Sequence, residues 1–353
     1  MLNPRRTHRV VEKLDATGQA WSAEFKAAVP VQFAGDLGVY FFDRVVRDSY
    51  EYGDVAGFMK VDRCIMLQCE VVWEIGAELG EGPIWWKDSL YWVDINGPRL
   101  HIYTPATGER RSYVLSQLTG TVVPRASGGV ILAQESGLCA FDPETESSEP
   151  LPWPADKPIV NRFNDGKCDP QGRFWVGTMG CDQPSGRLYR VEPGFEVTEM
   201  LRGIRVSNGL CWDERQSRFY YIDSLTEAID VFDWTPDLGT ISGRRILARL
   251  PAGEKGVPDG MTIDTEGRLW VAVFGGGGVH CIDPDTGQSL EKVIVPVPRT
   301  TACWFGGKNL DELYITTASI GEDDASLRAH PLAGSLFVCR PGAFGHPTTP
   351  CLL

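Results

Sequence analysis

Asp259-Gly260-Met261-Thr262-Ile263 is one of six stretches that can be laid over one another, and their alignment decides the fold. The others are Glu81-Gly82-Pro83-Ile84-Trp85, Thr119-Gly120-Thr121-Val122-Val123, Asp165-Gly166-Lys167-Cys168, Asn208-Gly209-Leu210-Cys211-Trp212 and Thr301-Ala302-Cys303-Trp304-Phe305. A unit that recurs every ~40 to 50 residues, with several short strands inside it, is the signature of a β-propeller. Working outward from each opening, a second strand follows that is rich in aromatic and β-branched residues: Leu90–Asp94, Gly129–Ala133, Arg173–Gly177, Arg218–Asp223, Arg268–Ala272 and Glu312–Thr316. Such residues fit a half-buried pleated surface. Third strands come next (RLHIYTP, GLCAFDP, GRLYRVEP, AIDVFDW, GVHCIDP, SLFVCRP), and many end in an acid plus Pro and a turn such as Asp285-Thr286-Gly287. Fourth strands are weaker.

The sixth unit has no fourth strand of its own, and Glu70–Ile75, just before the first unit, is a strand without a unit. Pairing the two closes the ring and removes exposed edges. The expected fold is therefore all-β: a six-bladed β-propeller of four-stranded blades over residues 70–353, closed by pairing N- and C-terminal segments, with no helix interrupting the pattern. Residues 1–69 do not repeat. They read as a weakly ordered extension, as upstream sequence before an internal start at Met66, or as a small helical dimerisation arm.

Composition narrows the function classes. The chain has 353 residues and a formal charge of −13, and residues 1–69 hold nine bases and nine acids, so the excess falls on the repeats. Such a surface disfavours nucleic acid and anionic membranes and suits a cation with a neutral substrate. No apolar run is long enough to span a bilayer. Arg5-Arg6 is not followed by the apolar segment of an export signal, so a cytoplasmic location is expected. The ten cysteines have irregular spacing and mostly sit in strand segments, as free thiols packed in a core would. Five isolated histidines make a His-rich zinc site a poor reading.

Propeller symmetry brings the residues that open the innermost strands (Glu81, Thr119, Asp165, Asn208, Asp259, Thr301) toward one axis. Each X-Gly pair alone is ordinary turn chemistry. Together, buried carboxylates and an amide need a counter-ion. Oxygen donors favour a hard cation, Ca2+ first, with Mg2+, Mn2+, Zn2+ or Fe2+ as alternatives. In Asn161-Arg162-Phe163-Asn164, Arg162 and Asn164 lie two apart and share a face of an extended segment, where they could hold a polyhydroxylated substrate. Lys167 reads as structural or solvent-facing.

At these residues the chain resembles the senescence marker protein/regucalcin/gluconolactonase family. The matching segments include Gly80–Pro83, Asn161–Lys167, Gly177-Thr178-Met179, IRVSNGL from Ile204, Pro258–Met261 and FGGKNLDELY from Phe305, in order from about residue 74 to 345. The resemblance implies a propeller that hydrolyses aldonolactones with one divalent metal. It makes Glu81, Asn208 and Asp259 the metal ligands, and Arg162, Asn164 and Asp182 the substrate contacts. Asp259 would also accept the proton of the attacking water, with activation of that water by the ion as the alternative. Competing expectations are a related hydrolase of other lactones or organophosphate esters, and a non-catalytic calcium-binding propeller. A WD-repeat scaffold lacks its signatures here. The expected partner is a small sugar lactone, and the expected state a monomer or weak homo-oligomer.

Overall fold

The computed structural model describes residues 28–33, 36–41 and 65–353. The chain divides into two compact units, 1–65 and 66–353. In the first, Ala28–Phe33 and Asp36–Phe41 pair as an antiparallel hairpin, which the sequence reading of 1–69 did not foresee. The rest of that reading lies outside the described residues.

The second unit is a six-bladed β-propeller. From the axis outward, blade 1 comprises Gly80–Trp86, Ser89–Asp94, Arg99–Thr104 and Glu109–Val114, and blades 2 to 4 repeat this four-stranded meander. Blade 5 gains a fifth, outermost strand, Ile65–Gln68, which the repeat pattern did not announce. Blade 6 has three strands of its own, and its fourth is Glu70–Trp73, paired antiparallel with Leu336–Cys339. The closing strand also grips blade 1: the Trp73 ring packs edge-on against Trp92, centroids 5.0 Å apart, and against His101. Among the described residues one α-helix does interrupt the pattern, Asp324–Ala329, between the second and third strands of blade 6, and a 3-10 turn, Ser224–Thr226, stands at the same place in blade 4. The Asp323 side chain caps the α-helix by accepting from the Ser326 amide.

One feature of the innermost strands positions the axial residues. All six blades carry a register shift at this ladder, at Glu81/Ile84, Phe163/Gly166, Ser207/Leu210, Pro258/Met261 and Thr300/Ala302, and opposite Thr119 and Thr121 in blade 2. A bulge re-aims the side chains within it. The glycines beside it let neighbouring innermost strands close in. A Cβ on Gly209 would stand 2.7 Å from the Asp259 carbonyl oxygen, and one on Gly260 would stand 2.4 Å from the Ala302 Cβ.

The opposite ends of these strands are built differently. Asp169 and Asp264 end the inner strands of blades 3 and 5, and both are fully buried. Asp169 accepts from Arg173 Nε at 2.6 Å and Trp175 Nε1 at 3.0 Å; Asp264 accepts from Arg268 Nε at 2.8 Å and Trp270 Nε1 at 2.9 Å. The C-terminal segment crosses this end and ties four blades together. The Thr265 amide donates to the Phe344 carbonyl, the Thr348 hydroxyl to the Trp85 carbonyl, the Cys351 amide to the Pro124 carbonyl and the Leu352 amide to the Gly172 carbonyl. All nine described cysteines are free.

Candidate metal centre

Glu81, Asn164, Asp165, Asn208 and Asp259 are all buried, between 4 and 6% exposed, at the same end of the innermost strands. Their polar atoms are only partly partnered. Glu81 Oε2 accepts from the Gly82 amide at 3.1 Å, Asp165 Oδ1 from the Gly166 amide at 2.7 Å, and Asn208 Nδ2 donates to Ser224 Oγ at 3.0 Å. Asn208 Oδ1, Asp259 Oδ1 and Asp165 Oδ2 are buried with no hydrogen-bond partner. Leaving such oxygens bare is costly.

The carboxylates act on one another. Burial first, and the Asp165 charge second, push the Glu81 carboxyl up to about 8. Burial, then Glu81 and Asp165, hold Asp259 well above the usual carboxylate range. Burial raises Asp165 as well, opposed by Lys167 and the Gly166 amide. Three acids that resist ionising together, with bare oxygens among them, fit a hard cation. Glu81, Asn208 and Asp259 supply an oxygen-only donor set. Among the described residues no three His, Cys, Asp or Glu side chains converge in metal-holding geometry.

The neighbouring cations complete the charge pattern. Arg162 Nη1 donates to Asn164 Oδ1 at 2.6 Å and to the Phe163 carbonyl at 2.8 Å, and Asn164 Nδ2 donates to the Ser207 carbonyl at 2.7 Å. The shared face expected of Arg162 and Asn164 is thus a direct contact. Burial lowers the Arg162 pKa, against the charges of Glu81, Cys181, Glu135 and Asp259. Lys167 is not solvent-facing. It is 7% exposed, donates to the Met261 carbonyl, and lies 3.9 Å from Asp165 Oδ2 and 5.2 Å from the centre of the Trp304 ring.

The structure does not bring Asp182 into this cluster. Asp182 is exposed, and among the described residues no hydrogen bond or ion pair ties it to the others. In that loop Cys181 Sγ accepts from Asn161 Nδ2 at 3.3 Å. Sequence reasoning also passed over Glu135, an exposed acid in the turn between the second and third strands of blade 2, whose charge reaches Arg162. Its signal was its place: a turn at the same end of the ring as the axial acids.

The other mouth of the channel holds a cavity of about 260 Å³, lined by Lys167, Cys211, Trp212, Thr262, Trp304 and Phe305 among others. Its wall mixes aromatic rings with charged groups, among them Asp213, Glu214 and Arg215. Asp213 at this mouth also keeps a buried oxygen, Oδ2, without a hydrogen bond, whereas Arg162 and the cluster of Asp165 Oδ2, Asn208 Oδ1 and Asp259 Oδ1 lie at the opposite end.

Residues 79–319 match the family described as "SMP-30/Gluconolactonase/LRE-like region". The chain belongs to that family. Regucalcin of Danio rerio is 40% identical over 277 residues, covering 77% of this chain and 93% of its own length. Regucalcin of Homo sapiens is 37% identical over 280 residues, covering 77% and 93%. Among solved structures, a luciferin-regenerating enzyme superposes with a TM-score of 0.73 at 32% identity, over 81% of this chain and 99% of that one. A regucalcin from Agrobacterium tumefaciens, described as a calcium-binding protein, gives 0.75 at 26% over 82% and 100%. A gluconolactonase from Xanthomonas campestris shares the fold, with a TM-score of 0.62 at 22% identity over 76% and 88%. Family membership supports a lactonase-like propeller, and the regucalcin relatives support a divalent metal.

Proposed function

We propose that this protein hydrolyses a sugar lactone of the aldonolactone class to the open hydroxy acid, with one divalent cation held by Glu81, Asn208 and Asp259. The observation that carries the reading is the pair of bare, buried oxygens, Asn208 Oδ1 and Asp259 Oδ1, next to the Arg162–Asn164 contact. An ion there would supply Lewis-acid polarisation of the lactone carbonyl. The chain's own residues do the rest. Arg162 donates to the ring and carbonyl oxygens of a sugar lactone, and Asn164 holds the guanidinium in place for it. Asp259 takes the proton of the attacking water as its oxygen bonds to the carbonyl carbon. The ring C–O bond then breaks and Asp259 returns the proton to the departing ring oxygen, which becomes the hydroxyl of the open acid. Burial of Asp259, 5% exposed, keeps bulk water from competing for that proton. Ca2+ is the ion favoured by the donor set.

The test is turnover of glucono-, galactono-, xylono- and arabinonolactones by metal-stripped protein, with Ca2+, Mg2+, Mn2+, Zn2+ and Fe2+ added back in turn. Turnover should return with metal and fall at least about a thousandfold in Asp259→Ala and Glu81→Ala, the several kcal/mol that a Lewis-acid ion supplies. Folded, metal-loaded protein inactive on every lactone sinks the reading, as does an Asp259→Ala protein with unchanged metal binding and rate.

A further inference from the structure

Asp165 is a buried acid that the proposed ligand set does not use. It lies in the same bulge as Asn164, one residue before Gly166, and its Oδ2 is buried without a hydrogen bond. Its charge acts on both Glu81 and Asp259. Yet it does not converge with them closely enough to chelate, since no three such side chains among the described residues do. On its other side, 3.9 Å away, stands the buried Lys167 ammonium, anchored by the Met261 carbonyl and the face of Trp304. Lys167 also bears on Glu81. The axis therefore holds an acid and a base in series beneath the centre, neither exposed above a tenth.

We propose that Asp165 and Lys167 form a buried charge pair that sets the affinity and the valence preference of the cation centre without ligating the ion. This rests on reading Glu81, Asn208 and Asp259 as the cation site. Asp165 adds negative potential at the ion. Lys167 subtracts from it, leaving a field that suits a divalent rather than a trivalent ion. Because the energy of an ion in a fixed potential scales with its charge, each change acts more strongly on a trivalent ion than on a divalent one. A purely structural pair would give no such dependence.

The experiment measures Ca2+ binding by calorimetry and Tb3+ binding by tryptophan-sensitised luminescence, on metal-stripped full-length protein. Asp165→Asn keeps the shape and the oxygen that accepts from Gly166 while removing the charge. It should weaken Ca2+ binding about 10- to 100-fold and Tb3+ binding more. Lys167→Gln keeps an amide donor for the Met261 carbonyl. It should tighten Ca2+ roughly tenfold and Tb3+ more. Opposite shifts, larger for the trivalent ion, establish the pair. Unchanged affinities, or shifts in one direction for both variants, overturn it. If Lys167→Gln does not fold, Asp165→Asn decides by the Ca2+ to Tb3+ ratio alone. A wild type that binds neither ion removes the centre and the inference with it, whereas opposite shifts without lactone turnover sustain the inference and defeat the substrate reading.

Discussion

The two ends of the innermost strands bury the same residue type under opposite conditions. At one end Asp169 and Asp264, each 0% exposed, have an arginine and a tryptophan N–H on one oxygen and backbone amides on the other. At the other end Asp165 and Asp259 are nearly as buried, and each keeps one oxygen with no hydrogen bond, although the Lys167 ammonium stands 3.9 Å from that of Asp165. Burial alone does not mark a functional acid. Nor does a single bare oxygen, since Asp213 at the first end keeps Oδ2 without a hydrogen bond. What sets the second end apart is that Asp165 Oδ2, Asn208 Oδ1 and Asp259 Oδ1 gather there around acids that repel one another.

The largest effect should come from breaking a satisfied acid. Asp169→Ala strands the buried Arg173 guanidinium and the Trp175 N–H, so denaturant titration should find a loss of about 3–5 kcal/mol with Ca2+ affinity unchanged. A loss within the range of an exposed ion pair, under about 1 kcal/mol, would erase the contrast between the two ends. The mirror substitution, Asp259→Asn, should leave the metal-free protein equally or more stable and abolish Ca2+ binding.

A second test concerns a bare atom that is structural. His101 is 1% exposed, its Nδ1 faces Ser112 Oγ at 2.8 Å, and its Nε2 has no partner. Burial lowers its pKa from 6.5 to about 4, so the ring is neutral where the closing strand packs on it. As pH falls, the unfolded chain takes up this proton first. The contribution is therefore fully present above the unfolded value of 6.5 and is lost progressively as pH drops toward about 4. That amounts to about 2 kcal/mol between pH 7 and pH 5. Comparing the pH dependence of unfolding in wild type and His101→Phe isolates it; parallel curves would show the ring is not involved. Here a bare nitrogen needs no ion, because a neutral imidazole carries no charge to offset.

The smallest effect expected is at the rim. Arg162→Lys keeps the charge but loses the planar fork that meets Asn164 and the Phe163 carbonyl, and kcat/KM should fall about fivefold, close to one hydrogen bond. No change would mean the guanidinium does not orient substrate.

Much of this was legible in the chain. Glu81, Asn208 and Asp259 stand at equivalent places in a repeat, and a repeat converts sequence position into spatial position. Arg162 and Asn164 share a face because a strand alternates its side chains. Asp182 was not legible in the same way. It sits in a loop, where the backbone turns at Cys181 (φ 50°) and sequence order says nothing about which neighbouring side chain points inward. Glu135 escaped notice because blade 2 opens on Thr119, so no axial acid drew the eye to its upper turn. Lys167 looked peripheral two residues into a strand, until the bulge at Phe163/Gly166 turned it down the axis.

The sequence by itself determined the number of blades, the four repeating strands of each, the closing role of Glu70–Trp73 and the end of the ring where the axial acids gather, since all four follow from a period and its one incomplete unit. The extra strand Ile65–Gln68 and the helix Asp324–Ala329 lie outside that period. Only the tertiary structure decided which buried acids were answered and which were left bare. Asp165 lies in the strand Phe163–Cys168, and Asp169 follows directly at its end. Their difference is made by donors that fold back from Arg173 and Trp175 in one case, and by the acids of blades 1 and 5 facing across the channel in the other.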